Sequence, residues 1–451
     1  MKISIQKITA LALLLPAVFI FSNKEILSTD TSDSSIFTPV KVKRTEQISR
    51  FENTINSYFT NTVGSRYVPG ALLSIQFNNE PFYYLKKNMQ EDSIVSVASV
   101  TKPFTALAVM QLVEKGQISI DEKVSRYIPG FKITDSSEKE ITVKQLLYQI
   151  SGIPYRARIG STVIRSNNQY ITVPTPLHPP GVHFEYSNYN YILLAKIIEN
   201  VSGLTYSNYI QKNIFEPLNM NHSSAIRSTG AGGITSTAGD LIHFVNMLAS
   251  QGNYKGRNLL SPHYFKMMFQ KPDYVKETES MFFYGMGFRV IRSRGKLAAF
   301  YHTGIHNGTL TEIKIFPENG ASLVHVANPP YHSSQAAQDY RWKMTAYYNS
   351  YVGMVYNPAN VIPPDRLHPS PPANDELASY EGIYVNSGTS EKIKIVKKGK
   401  SLYRLNNNIL EPMQPLSNIE FKSNNKYYPY QFVWSGEVLN GISTGGGFYK
   451  K

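Results

Sequence analysis

Three short motifs carry the residue types that can turn a serine hydroxyl into a nucleophile: Ser99-Val100-Thr101-Lys102, Tyr186-Ser187-Asn188 and His302-Thr303-Gly304, in that order along the chain. A serine attacks a carbonyl only when a neighbouring base takes its proton. A lysine three residues further on lies on the same helical face and can reach the hydroxyl. Ser-x-x-Lys spacing also occurs at Ser136 to Lys139, Ser293 to Lys296 and Ser423 to Lys426, so spacing alone does not choose. Context does. Only after Ser99 do Phe104, Leu107, Ala108 and Leu112 recur at helical intervals, with Pro103 in the first turn and Gly116 as the stop. Ser99 is therefore expected at a helix N-terminus, where the dipole and the free N–H groups favour developing negative charge.

Tyr186 and Asn188 precede a second apolar stripe, Tyr191, Leu194, Ile197, Ile198 and Val201, closed by Gly203. The tripeptide is thus expected in a loop entering a helix, where Asn188 could serve merely as a cap. His302-Thr303-Gly304 lies between Leu297 to Tyr301 and Leu310 to Phe316, two runs that read as neighbouring strands, the glycine allowing close backbone approach. Lys102 and Tyr186 both have ordinary pKa values near ~10, so either acts as base at neutral pH only if its surroundings shift it. The sequence leaves open which one does.

With these motifs the chain resembles the penicillin-recognising serine hydrolases, the branch holding class C β-lactamases, serine DD-carboxypeptidases, D-aminopeptidases and related esterases. The similarity runs from about Phe51 to Ala327 and includes Ile118-Ser119-Ile120-Asp121, Ser151-Gly152, Pro180-Gly181, Pro217-Leu218 with Met220, and Gly232-Gly233-Ile234. His302-Thr303-Gly304 stands where many β-lactamases have Lys-Thr-Gly, which is most like a secreted DD-carboxypeptidase. Two departures concern turns: the family's histidine-containing turn before Ser-Gly reads Tyr148-Gln149-Ile150 here, and Asn219 replaces a glycine. Both are expected to affect turn chemistry more than catalysis.

The resemblance implies an acyl-enzyme on Ser99, with Lys102 and Tyr186 sharing proton transfer. It also implies that Asn188 holds the acyl amide and that the backbone N–H groups of Ser99 and Ile305, just past Gly304, hold the oxyanion. His302 and Thr303 would contact a substrate carboxylate or relay a proton, and Arg289, after Tyr284-Gly285-Met286-Gly287-Phe288, would supply a cation for that carboxylate. The implied substrate is a peptidoglycan stem peptide ending in D-Ala-D-Ala, or a small ester or amide; β-lactam turnover and D-aminopeptidase action share the same motifs. A non-catalytic envelope protein that keeps the fold for binding is the alternative from another class.

Other chemistries find less support. Gly441-Ile442-Ser443-Thr444-Gly445 matches a nucleophile elbow, but too little chain follows to supply the acid and histidine in the required order. His302 and His306 are four apart without the glutamate of a helical His-Glu-x-x-His site, so no metal is expected. The glycines at 230, 232 and 233 do not make a phosphate loop, and no cofactor is implied.

The elements that must position these residues fit in 451 residues, 42% of them hydrophobic. Lys2 and Lys7 precede an apolar run from Ile8 to Phe21, so residues 1–22 read as a signal peptide or, lacking a clean Ala-x-Ala site, an N-terminal anchor. Export is expected, to the periplasm, cell surface or outside. Residues 23–45 read as a flexible leader and 46–356 as the hydrolase domain; 357–375, rich in proline, read as a linker and 376–451 as a small all-β domain, barrel or sandwich. The fold class expected is α/β (α+β): a β-lactamase/transpeptidase-like antiparallel sheet flanked by helices, with a helical subdomain inserted between its first and last strands. The absence of cysteine excludes disulfides and lipobox attachment. A net charge of +14 and a pI near 9.4 are dispersed along the chain, which points to anionic envelope polymers or membrane surfaces rather than nucleic acid.

Overall fold

The computed structural model describes residues 45–133, 140–154, 163–164, 171–182, 184–273, 275, 280–293, 295–306, 308–330, 334–356, 377, 380–386, 392–399, 401–406, 409–415, 420–423, 430–435, 438–444 and 447–450. The apolar N-terminal run, the leader, the proline-rich linker, most of 155–170, Ser136 to Lys139 and Lys426 lie outside the described residues. Contacts divide the chain into two compact units, one holding residues 56–340, the other 42–55 with 341–451.

The larger unit is organised by a seven-stranded antiparallel sheet. Its strands are β1 (Ala71–Phe77), β2 (Glu80–Lys87), β3 (Ser280–Tyr284), β4 (Arg289–Ser293), β5 (Lys296–His306), β6 (Thr309–Phe316) and β7 (Ala321–Ala327), in the spatial order β3-β4-β5-β6-β7-β1-β2. Ala71 pairs with Ala327, so the first strands join the last and everything between them is an insertion. β1 and β7 are buried at every position, and both read as near-continuous apolar runs, as strands covered on both faces must. Their polar exceptions satisfy one another: Gln76 Nε2 donates to Ser74 Oγ at 2.7 Å, and Ser322 Oγ donates to Gln76 Oε1 at 3.1 Å.

Among the described residues the five longer helices are α1 (Glu46–Thr62), α2 (Thr101–Glu114), α3 (Asn188–Ser202), α4 (Ala238–Ala249) and α5 (Gln335–Tyr356). α2 is buried without a break from Thr101 through Leu112, which makes it a central helix rather than an amphipathic surface one. Phe104 stacks on Phe244 of α4 at 3.9 Å and meets Phe215 edge-on at 5.8 Å, each ring contributing ~2–3 kcal/mol through burial. α4 lies across β6 and β7, and α2 packs on α3. On β7, His325 Nε2 lies 3.0 Å from the hydroxyl of Tyr340, whose ring stacks on Tyr58.

α4 begins where Thr237 accepts the Asp240 N–H, and the buried Asp240 carboxylate accepts from the His222 amide at 2.8 Å and from Ser223 Oγ at 2.7 Å. Asp240→Ala leaves both donors without their acceptor. It is expected to lower the unfolding free energy by about 2 kcal/mol, read as a shifted urea midpoint with unchanged slope.

In the smaller unit Phe51 meets Tyr347 edge-on and stacks on Tyr351, whose hydroxyl donates to Glu52. The eight described strands between Gly382 and Lys450 form a closed antiparallel barrel, the strand Gly447–Lys450 returning to pair with Gly382–Asn386. Ile393 and Ile395 turn inward to Tyr384, Leu402 and Met413, while Lys392 and Lys394 face out. Ser443 lies within the strand Val438–Thr444, so the Gly-x-Ser-x-Gly pattern is not a strand-to-helix elbow.

Candidate active site

Ser99 stands between a strand and a helix. Val95–Ser96 pairs with Thr235–Ser236, Ala98 to Val100 form one 3₁₀ turn, and α2 begins at Thr101. Ala98 has φ of 48°, a left-handed conformation unusual for a residue with a Cβ, so the backbone reverses sharply just before the nucleophile. Two bonds hold this bend, from Val97 N to Ile234 O at 3.0 Å and from Ala98 N to Ser96 Oγ at 3.3 Å. Ser99 keeps partial exposure although both of its chain neighbours are buried.

Lys102 is fully buried, and its Nζ has three partners: Asn188 Oδ1 at 2.8 Å, the Ala231 carbonyl at 2.8 Å and Ser99 Oγ at 3.2 Å. Burial holds its pKa down at about 7, so a large fraction is neutral at physiological pH. The two short partners are acceptors only. A neutral amine therefore gives its two N–H bonds to them and turns its lone pair toward Ser99, the one partner that can donate. Tyr186 is displaced the other way: burial pushes its phenol up to about 12, against the opposing effects of a hydrogen bond with Ser99 and the positive charge of Arg289. It therefore keeps its proton when Lys102 has lost its own. The Lys102 amine lies 4.8 Å from the Tyr186 ring centroid.

Asn188 does not cap its helix. The N-cap is Ser187, which makes no side-chain cap bond, while Asn188 Oδ1 goes to Lys102. The amide Nδ2 of Asn188 is thereby the end left to meet an acyl carbonyl.

His302 is buried on β5. Its Nδ1 lies 2.9 Å from the Thr303 carbonyl, which can only accept, so that nitrogen carries the proton and Nε2 faces the Tyr284 hydroxyl at 3.1 Å. Burial, then the charges of Lys102 and Arg289, hold the imidazole well below its usual pKa. A neutral His302 can pass a proton but cannot serve as the cation for a carboxylate. Arg289 can, since its charge is felt at Tyr186, Tyr284 and His302. Gly304 packs so closely on the bend before Ser99 that a Cβ there would sit 2.1 Å from the Val97 carbonyl oxygen, which brings the backbone of Ile305 alongside.

Ser99 and Lys102 at the start of α2, Tyr186 and Asn188 at the start of α3, Arg289 on β4, and His302, Thr303, Gly304 and Ile305 on β5 thus come from four segments of the chain. Sequence reasoning missed the Ala231 carbonyl, the third partner of Lys102, although the glycines around it marked a tight loop. Thr105 holds that loop from α2, donating to the Gly230 carbonyl at 2.6 Å with Tyr206 Oη at 2.7 Å. It also missed Tyr284, whose hydroxyl bridges His302 and Tyr191 and whose ring lies edge-on to Tyr186 at 6.1 Å. The turn after Tyr284 rests on α2, because Gly287 has no Cβ to strike Ala106. Among the described residues no group of three His, Cys, Asp or Glu is arranged to hold a metal.

Comparison with known proteins bears on the family and the fold. The chain is 37% identical over 174 residues to Protein flp of Staphylococcus aureus (strain MRSA252), covering 35% of each chain. It is 34% identical over 148 residues to Penicillin-binding protein 4* of Bacillus subtilis (strain 168), covering 31% of this chain and 32% of that one. The match thus spans about a third of the length of these relatives. Among solved structures, the octameric penicillin-binding protein homologue from Pyrococcus abyssi covers 86% of this chain and 94% of its own at a TM-score of 0.55 and 23% identity. A Beta-lactamase/D-alanine Carboxypeptidase from Yersinia pestis covers 68% and 99% at 0.52 and 18%. These two likenesses concern the fold. The family model described as Beta-lactamase matches residues 55–346, well over half of the chain, and the protein belongs to that family, the serine hydrolases of β-lactamase and penicillin-binding type.

Proposed function

We propose that the protein is an exported serine hydrolase that forms an acyl-enzyme on Ser99, acting as a D-alanyl-D-alanine carboxypeptidase on peptidoglycan stem peptides. The observation that carries the reading is the set of partners around Lys102, two obligate acceptors at 2.8 Å and Ser99 Oγ at 3.2 Å. Lys102 takes the Ser99 proton as Oγ attacks the penultimate carbonyl. The negative charge that develops on that oxygen is met by the N–H groups of Ser99 and Ile305. As the C–N bond breaks, the departing amine receives a proton through Tyr186, which recovers one from Lys102. Water then attacks the ester, and Ser99 regains its proton from the same pair. Asn188 Nδ2 holds the acyl amide, while Arg289 with Thr303 holds the carboxylate of the leaving D-alanine. Export follows from the apolar run Ile8 to Phe21 behind Lys2 and Lys7, and the charge of +14 suits an anionic envelope.

The test exposes the protein and its Ser99→Ala variant to a fluorescent penicillin, a D-Ala-D-Ala peptide and a short acyl ester, following intact mass and product release. The expected result is a Ser99-dependent adduct together with release of D-alanine. Ester turnover without an adduct or peptide cleavage moves the protein to the esterases. No Ser99-dependent reaction with any substrate leaves the fold as a binding protein.

A further inference from the structure

The turn before Ser151-Gly152, one of the two places where the sequence departs from its relatives, lies against the Tyr186 segment. A short helix, Val143–Leu147, is capped by reciprocal bonds between Thr142 and Gln145, and the chain leaves it through Tyr148 into Gln149. Gln149 is fully buried with φ of 59°, a conformation an unbranched L-residue holds only when its surroundings over-determine it. In that conformation its main chain and side chain address the same segment. Its carbonyl accepts from Glu185 N at 2.8 Å. Its Oε1 accepts from Ser187 N at 2.9 Å and from Asn190 Nδ2 at 2.5 Å. The amide orientations are fixed by partners: the Ser187 N–H can only donate, so it faces Gln149 Oε1, the Asn190 atom on that oxygen is then Nδ2, and Asn190 Oδ1 accepts from Ser151 Oγ at 2.6 Å.

Gln149 therefore holds the residue on each side of Tyr186. Ser187, whose hydroxyl is spent on the Pro154 carbonyl at 3.1 Å instead of on capping its own helix, relies on Gln149 for its amide. We propose that Gln149 is a positioning residue: it fixes the Tyr186-Ser187-Asn188 segment so that the Tyr186 phenol and Asn188 Oδ1 stay in register with Ser99 and Lys102. Tyr186 and Asn188 flank the clamped amide and face one amine, so loosening that amide displaces the proton donor and the lysine's partner together. The bonds that Gln149 accepts are buried, where a hydrogen bond is stronger than in water and a donor left without its acceptor is costly. The turn chemistry that the sequence set apart from catalysis thus bears directly on it. The kinetic part of the inference rests on the proposed role of Ser99.

Gln149→Met keeps length and bulk and removes the acceptor. Expected is a fall in kcat of about 10²-fold for Ser99-dependent ester hydrolysis, the scale of a 1 Å misplacement, with KM changed by less than about threefold. Amide hydrogen exchange over residues 184–191 should quicken by about tenfold or more while the segments around α2 and α4 stay protected. Asn190→Ala removes one donor from Gln149 Oε1 and leaves residue 149 in place; the same changes are expected at smaller size, and this variant decides if the methionine variant does not fold. Unchanged exchange over 184–191 overturns the inference, as does faster exchange with kcat unchanged. If the unmodified protein shows no Ser99-dependent turnover, it is the functional reading that fails, and exchange, which needs no turnover, still decides whether Gln149 holds the segment.

Discussion

Lys102→Met is expected to slow acylation of Ser99 by about 10²- to 10⁴-fold while leaving the protein folded. Of Lys102 and Tyr186, the lysine is the one whose surroundings bring its basic form within reach at neutral pH: burial holds it at about 7, whereas burial pushes Tyr186 up to about 12. The neutral amine is the active form, so kcat/KM should fall about tenfold per unit below pH 7 and level off above it. Tyr186 keeps its proton throughout that range, so no alkaline limb from Tyr186 is expected below about pH 10. In Lys102→Met the limb near 7 should vanish from whatever activity remains. Stability gives an independent reading. Between about 7 and the ordinary lysine value of 10.5 the unfolded chain binds the extra proton, so the Lys102 contribution makes stability rise with pH across that window. Below 7 both states are charged and the cost of burying the ammonium is constant. Urea unfolding of the two proteins at pH 6 and pH 9 should therefore show a smaller pH dependence in the methionine variant. Acylation within tenfold of the unmodified protein would remove Lys102 from the base role.

The motifs and their supporting helices were legible because each combines a chemical residue type with a periodic neighbourhood. Phe104 to Leu112 repeats at helical spacing and becomes α2; Tyr191 to Val201 does the same and becomes α3, ending at Gly203 in the left-handed conformation. The runs around His302 became β5 and β6 as expected. In the C-terminal unit the strands Ile409–Pro415 and Val438–Thr444 are not legible in the sequence, since Pro412 and Pro415 in one and Gly441 in the other argue locally against a strand. Closure of the barrel supplied pairing that overrides those preferences. The choice of base was illegible for a different reason. It depends on two acceptors, Asn188 and Ala231, that lie 86 and 129 residues from Lys102 in the chain and meet its amine only when α3 and the glycine-rich loop pack onto α2. Gln149 was set aside because a turn residue gives no sign in sequence of what its side chain will reach. The likeness to a family identified that turn as unusual, and only the folded chain shows that its oxygen holds the Ser187 amide.

Gly304→Ala is expected to cost about 10²- to 10³-fold in kcat, the scale of losing one oxyanion donor. A Cβ on residue 304 would stand 2.1 Å from the Val97 carbonyl oxygen, 3.0 Å from its carbon and 3.2 Å from Ala98 Cβ. None of these atoms is the yielding end of a long side chain. Val97 is fully buried and tied to Ile234, and Ala98 already sits in a strained conformation, so the bend carrying Ser99 has no slack. The strand must give instead. To restore an ordinary contact β5 has to retreat by on the order of 1 Å, and the Ile305 amide retreats with it while Ser99 stays where α2 holds it. The substrate contact proposed for Arg289 on the neighbouring strand changes less, so the loss should appear in kcat more than in KM. Gly232→Ala is the matching control: the nearest atom to a Cβ there is the Ala98 carbonyl oxygen at 3.8 Å, an ordinary contact, and activity should stay within about threefold. Single-turnover acylation of the two variants by a fluorescent penicillin and by an acyl ester separates them. If Gly304→Ala acylates as fast as Gly232→Ala, close approach of β5 to the Ser99 bend has no part in stabilising the transition state.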